Sequence, residues 1–413
     1  MYEVIVIGGG AAGMMAAAAA ADNGARVILL EKKERLGKKL RITGKGRCNL
    51  TSALEKDRLL SGYGKNGRFL YSAISEFSNQ DLVDFFDTRG LRCKVERGFR
   101  VFPANNDAGS VVQVLSNNLV RAGVTIKTSC KVDEILITNG KVEGVRSNRG
   151  KISGRAVIIA TGGMSYPATG STGDGYRLAL AAGHNIIEPV PGLVPLIVKE
   201  PWVMSLKGLS LKNVKATAYT EGQRLGEEFG EMLFTHFGLS GPIILTLSSK
   251  IAQRWRINKK PVTLSLDLKP ALSGEVLNDR IQRDLSKFAR RQFMNSLDEL
   301  LPKKLIPVII QLSGIDPRKK TGDINRSERK LLVNLLKDLR MTVIGTRPIS
   351  EAIITIGGVD LKQIEPKSME SKLIKGLFFA GEILDIDGCT GGFNLQAAFS
   401  TGYVAGKNAA LSK

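Results

Sequence analysis

Hydrophobic positions along this chain follow three patterns in turn. Val4-Ile5-Val6-Ile7 is a continuous apolar run that leads into Gly8-Gly9-Gly10-Ala11-Ala12-Gly13. An alanine-rich stretch from Met14 to Asn23 follows, closed by Gly24, and then a second run, Ala25 to Leu30. Two fully apolar strands joined by a glycine turn and a helix of small residues make a βαβ unit, and small side chains let the helix lie close to the sheet. Ala156 to Ala160 and Leu377 to Ala380 are runs of the same kind, so both ends of the chain contribute buried parallel strands. Between the first two such regions, Asp81 to Asn118 predicts helices around a short hairpin at Cys93 to Phe102. Val124 to Ser129, Lys131 to Ile137 and a further strand past the Asn139-Gly140 turn come next.

From Pro189 to Pro270 apolar and polar positions alternate instead, as in Val214 to Thr220, Met232 to Phe234 and Val262 to Leu268, with Gly- and Ser-rich loops. That predicts a small β domain. Ser273 to Arg340 turns helical and basic, Ala352 to Ile356 reads as a return strand, and Gly357-Gly358 crosses back. The expected organisation is an α/β nucleotide domain in two parts, 1–190 and 357–413. Inserted in it are a β domain (191–272 with 341–356) and a basic helical domain (273–340).

Composition adds limits. With 413 residues, 43% of them hydrophobic, the chain can bury a large core in two or three domains. Cys48, Cys93, Cys130 and Cys389 are scattered without a CxxC pair, which suits a reducing compartment and argues against a disulfide framework or a zinc site. His184 and His236 are the only histidines, too few for a histidine-rich metal centre. No export signal fits the first residues, and Met14 to Ala21 is too short to span a bilayer. A cytoplasmic protein without membrane contact is expected. The formal charge of +21 stands apart. It suits a polyanion partner bound by counterion release, and equally a basic proteome.

The chemistry begins at Gly8-x-Gly10-x-x-Gly13. These glycines permit a tight turn and close approach of Ala11 and Ala12 to a pyrophosphate on the helix N-terminus. Glu31 ends the next strand, where its carboxylate can accept from an adenosine ribose. The tail decides between dinucleotides. Gly381-Glu382 ends a strand, with Glu382 placed for a ribityl chain, and Gly391-Gly392-Phe393-Asn394-Leu395 opens a helix. A second helix start of this kind can face the electron-rich end of a flavin. Tight, non-covalent FAD is therefore expected, with Ala160, Thr161 and Gly162 beside it. No second GxGxxG is present, so NAD(P)H would visit only transiently as reductant.

Glu31-Lys32-Lys33, the run from Gly37-Lys38-Lys39 through Gly44-Lys45-Gly46-Arg47-Cys48-Asn49, the Phe234 to Pro242 loop and the Gly357 to Gln396 tail resemble the BaiN/RdsA-type flavoproteins, also described as aminoacetone-oxidase-like. The resemblance covers nearly the whole chain. It implies a two-dinucleotide-fold (Rossmann-like) FAD domain carrying an inserted β-barrel-like domain and an inserted helical domain. It places Arg47, Cys48 and Asn49 near the pyrophosphate and ring, and Val132 at the adenine through its backbone. It also implies an FAD-dependent oxidoreductase of one of several kinds: reduction of a bile-acid enone, amine oxidation, or reduction of a ribosomal RNA uracil to dihydrouridine.

The expected activity is NAD(P)H-driven saturation of a conjugated C=C bond, with Cys48, His236 or water supplying the proton. Cys48 reads rather as a small residue packed beneath the cofactor, His236 equally as a loop residue, and Asp387, like Asp385, more simply as a cap of the helix before Gly391. From Leu277 to Arg291 the residues Arg280, Arg283, Lys287, Arg290 and Arg291 share one face of a helix, opposite Leu277, Ile281, Leu285 and Phe288. That face is a candidate track for ribosomal RNA, which favours the uracil substrate. A small-molecule enone reductase, an amine oxidase and an RNA-binding factor with a non-catalytic flavin are the alternatives.

Overall fold

The computed structural model describes residues 2–412, and they form two compact units. One runs to Gly192 and resumes at Ile349; the other is Leu193–Pro348.

In the first unit, strands β1 (Tyr2–Ile7) and β2 (Val27–Leu30) pair in parallel with Ile5 opposite Ile28. The first helix, Ala11–Asp22, joins them and buries every residue from Ala12 to Ala20. Strands β3 (Thr51–Ser52), β4 (Cys93–Glu96) and β5 (Arg100–Pro103) form a small antiparallel sheet of their own. The large sheet is completed by β6 (Thr125–Lys127), β7 (Val132–Thr138), β8 (Lys141–Ser147) and β9 (Gly150–Ile159), in the order β6-β2-β1-β9-β8-β7. A two-stranded ribbon begins with β10 (Ile186–Gly192), after which the chain enters the second unit.

The second unit is a closed antiparallel barrel. Its strands are β11 (Leu196–Val198), β12 (Ser210–Thr220), β13 (Gln223–Phe234), β14 (Gly238–Ser240), β15 (Val262–Asp267) and β16 (Leu339–Thr346), in the order β11-β14-β13-β12-β15-β16. Closure removes the exposed edges that an open sheet would offer for aggregation. Glu221-Gly222 turns β12 into β13 with both residues at positive φ, the geometry that matches strand twist. The basic helix, Gly274–Lys287, starts at Ser273, whose Oγ accepts from Val276 N. Its Leu277, Ile281 and Leu285 lie in the same buried cluster as barrel residues Leu264, Leu266 and Met341. The helical segment therefore shares the barrel's core and builds none of its own. The helix also ends earlier than its apolar period suggests: Phe288 is its C-cap and half-buried, and Arg290 and Arg291 lie beyond it.

The chain re-enters the first unit at β17 (Ile354–Val359), which pairs antiparallel with β10 and so belongs to the nucleotide domain, not to the β insertion. Strand β18 (Leu377–Phe379) then adds in parallel beside β9. The C-terminal helix, Phe393–Leu411, crosses back over the first helix. Here the small residues matter. A Cβ on Gly402 would stand 2.4 Å from Ala12 O, and one on Gly406 2.1 Å from Ala16 O. The two backbones touch, and no larger residue fits between them. Gly13 has the same role toward the sheet, since a Cβ there would fall 1.9 Å from Gly8 O. No helix among the described residues is long and apolar enough to cross a membrane.

Gly406→Ala is expected to overpack this crossing and cost at least about 1–3 kcal/mol. Urea unfolding, followed by both far-UV circular dichroism and flavin release, would show one shared downward shift of the midpoint. Flavin loss at an unchanged unfolding midpoint would contradict a structural role.

Candidate functional site

The site grows from the turn after β1. Gly8 has φ +105°, and a Cβ on it would meet Ala160 O at 2.5 Å, so the strand ends of β1 and β9 close on one another. At Gly10 a Cβ would meet nothing within 4 Å. This residue is the N-cap of the first helix, supplies no capping side chain, and is followed by no acidic residue in the first turn. Free helix amides beside open space are what a pyrophosphate requires. Glu31 turns its carboxylate to the same place: Oε2 accepts from Gly9 N (2.7 Å) and Oε1 from Lys33 N (2.7 Å). Two backbone donors fix it and leave acceptor capacity for ribose hydroxyls.

Thr161, just past β9, carries a buried Oγ1 with no hydrogen-bond partner. An unpaired buried hydroxyl is costly and calls for a ligand or ordered water. That hydroxyl is turned to Gly175, whose Cβ would stand 2.0 Å from it, while the empty space at Gly10 and the uncapped helix start fit the diphosphate end of FAD.

The other expected residues divide into those that converge and those engaged elsewhere. Lys39 Nζ lies 2.6 Å from Glu382 Oε2 and 2.6 Å from Ser165 Oγ. Glu382 Oε1 also accepts from Thr355 N (2.8 Å) and Ser165 Oγ (3.0 Å), while Thr355 Oγ1 accepts from Met164 N (2.8 Å). Four segments distant in sequence are thus tied at one carboxylate. Ser165 and Thr355 were not legible as site residues: a serine in a glycine loop and a threonine in a β-branched strand carry no periodic signal.

Lys32 pairs with Asp174 (2.7 Å), and Lys38 with Glu34 (2.9 Å). Arg47 pairs with Glu96, donates to Asn106 Oδ1 (2.6 Å), and stacks over Phe102 at 4.1 Å. Val132 is buried at the start of β7, opposite Ser147.

The Gly44 to Asn49 segment is a compact knot with Gly44, Lys45, Gly46 and Cys48 all at positive φ. Asn49 links it to the C-terminal helix: with Nδ2 donating to Thr51 O and Val101 O, its Oδ1 accepts from Gly392 N at 3.0 Å. Gly392 needs its φ of +100°, since a Cβ there would strike the Thr51 backbone at 2.3 Å. Gly381 packs as tightly, with a Cβ falling 2.7 Å from Ala12 Cβ. Asn394 braces the preceding loop through Gly388 N and O, both at 2.9 Å. Tyr63 donates to Phe393 O (2.7 Å). Leu395 follows on the first turn, which contains no acidic residue.

The candidate proton donors sit in contrasting environments. Cys48 is fully buried at φ +58°, and burial pushes its thiol from the ordinary 9.0 up to about 12. That favours the packed reading. His236 is exposed on the loop between β13 and β14, edge-on to Phe237. His184 is buried just past helix Asp174–Ala181, bonded to Ser371 (2.8 Å), with burial lowering its pKa; it is structural. Asp387 is half-buried in the loop before the C-terminal helix, whose cap position is held by Gly392.

On the basic helix, the charge is partly neutralised by a residue outside its sequence window. Glu299 takes Lys287 at 2.8 Å, and its carbonyl accepts from Arg280. Arg283, Arg290 and Arg291 form no ion pair among the described residues, and Arg291 lies over Phe288 at 4.2 Å.

Alkylation should separate the thiols: Cys389, exposed, reacts in the native protein while Cys48 does not. Because the native Cys48 holds its proton to about 12 and the unfolded chain releases it from 9.0 upward, stability falls as pH rises through that window. Cys48→Ala should flatten this fall in urea midpoints compared across the range; an unchanged slope would show Cys48 to be accessible to water.

Residues 2–408 match the family described as HI0933-like protein Rossmann domain. The chain is 34% identical over 385 residues to the 3-dehydro-bile acid delta(4,6)-reductase of Clostridium scindens, covering 93% of each chain. It is 30% identical over 421 residues to the ribosomal RNA dihydrouridine synthase of Escherichia coli, covering 100% of this chain and 99% of the other. In fold it is similar to the 3-ketosteroid delta1-dehydrogenase of Sterolibacterium denitrificans, with a TM-score of 0.54 at 15% identity and full coverage of both chains. With its dinucleotide cradle and relatives of full length, the chain belongs to the HI0933-like Rossmann-domain family and is an FAD-dependent oxidoreductase.

Proposed function

We propose that this protein is an NAD(P)H-driven reductase of a conjugated C=C bond whose substrate is a uracil in ribosomal RNA, acting in the cytoplasm. FAD, when bound, supplies the hydride chemistry. The chain's residues do the rest. Amides at the start of the first helix hold the diphosphate, and Glu31 holds the ribose. The Lys39–Glu382–Ser165–Thr355 cluster fixes the segments around the ribityl position. The start of the C-terminal helix offers its positive end to negative charge. Cys48, shut from solvent and firmly protonated, packs the floor, and water is left as proton donor.

The observation that carries the RNA reading is the cationic surplus of +21, together with arginines such as Arg283 and Arg290 that have no acidic partner among the described residues. A small-molecule enzyme has no use for that surplus, whereas a polyanion is drawn by it. The full-length likeness to a ribosomal RNA dihydrouridine synthase supports the same substrate. A second reading, reduction of a small-molecule enone, is supported by the 34% likeness to a bile-acid reductase.

Mass spectrometry of ribosomal RNA from a deletion strain is expected to show loss of dihydrouridine at one position, restored by the wild-type chain. Unchanged dihydrouridine at every position removes the RNA reading. A substrate affinity that ignores added salt would then favour the small enone. In either case NADH or NADPH should bleach the yellow protein anaerobically.

A further inference from the structure

The hairpin between β4 and β5 has an unusual tip. Glu96 pairs with Arg100, which leaves Arg97-Gly98-Phe99 as the loop. All three, and Arg100, are exposed. Phe99 stands at φ +59° with 48% of its surface open to solvent. A bulky residue in the left-handed region is strained, and Gly or Asn would hold this turn at less cost. An aromatic ring is therefore kept in water, against both solvation and backbone preference. Arg58, from helix Lys56–Ser61, brings its guanidinium to 5.7 Å from that ring. Arg100 donates its Nε to Arg97 O, and Arg58, Arg97 and Arg100 form no ion pair among the described residues. The nearest acid on the hairpin, Glu96, is already engaged by Arg47 and Lys94.

This tip is wired to the flavin-facing helix start. Ala53 N donates to Phe99 O at 2.7 Å, and Ser52 pairs with Arg100. Thr51, one residue earlier, packs against Gly392, and Arg100 Cγ lies 4.0 Å from where a Cβ of Gly391 would be. An exposed ring among unpaired guanidinium groups matches one partner chemistry well: an unstacked nucleobase on the ring, with flanking phosphates on the arginines.

We propose that Phe99, with Arg58, Arg97 and Arg100, is a stacking platform that grips single-stranded RNA beside the cofactor site. The proposal rests on the RNA reading above and names where the strand is held. The platform is distinct from the basic helix, which lies in the other unit.

Binding of a fluorescein-labelled single-stranded oligouridylate to the FAD-loaded protein, measured across a salt series, tests it. Phe99→Asn is expected to weaken binding about ten- to a hundredfold, the loss of one stacked base. The same change should leave flavin content intact and hold or raise Tm, since Asn accepts the left-handed turn. Phe99→Trp should keep the affinity. Replacing Arg97 and Arg100 by Ala should flatten the salt dependence by about 0.7 per arginine. The platform is overturned if Phe99→Asn binds like wild type, or if an Arg283, Arg290 and Arg291 triple replacement by Ala carries the whole loss. It is overturned too if the wild type binds anionic vesicles but not the oligouridylate. Loss of binding in Phe99→Asn, found alongside unchanged ribosomal dihydrouridine in the deletion strain, sustains the platform and removes only the uracil assignment.

Discussion

The contact between the first helix and the C-terminal helix governs this structure. Gly402 and Gly406 let one backbone lie on the other at Ala12 and Ala16, a distance that any larger side chain would forbid. The proposed cofactor contacts draw on the N-terminus of each helix. One start stands at Gly10 and the other at Gly392, neither bearing a capping side chain. Close packing of small residues thus does electrostatic work at a distance from where the packing occurs. The alanine run of the first helix gives up hydrophobic burial per residue in return for that proximity.

Around this frame the chain uses polar ties rather than charge to order its loops. Asn49 reaches Gly392, Asn394 reaches Gly388, and Tyr63 reaches the Phe393 carbonyl, each joining a loop to a helix start. Neutral partners leave the electric field of the two helices unopposed. The ion pair of Lys39 with Glu382 is internally balanced. Its serine and threonine neighbours satisfy the remaining lone pairs, which makes a half-buried carboxylate tolerable.

Much of this was legible in the sequence, because buried parallel strands and glycine turns leave local signatures. The βαβ unit, the hairpin from Cys93 to Phe102, the return strand and the final helix all lie near their expected places. Glu31 and Gly13 could be placed because their roles depend on residues within one supersecondary unit. What was not legible depends on contacts between distant segments. Ser165 and Thr355 matter only because Glu382 meets them. Glu299 neutralises Lys287 from twelve residues away, outside the helical window that made the face look uniformly basic. The helix Pro242–Ile257 lies within the stretch where the sequence predicts only strands and Gly- and Ser-rich loops, since its serines and its glycine-rich approach hide the period. The separate helical domain dissolved for a related reason: amphipathic helices announce that they need a partner, not which one.

The split of the nucleotide unit also has a consequence for biogenesis. Residues 193–348 are contiguous and can collapse while the ribosome is still translating. The opening βαβ unit has no such option. Its helix stays uncovered, and the edge of β9 unpaired, until β18 and the last helix leave the exit tunnel. Nascent chains must wait with an alanine-rich apolar surface in water, a natural client for chaperones. A product cut short before that helix would lack the Gly402 and Gly406 contacts that seat the first helix.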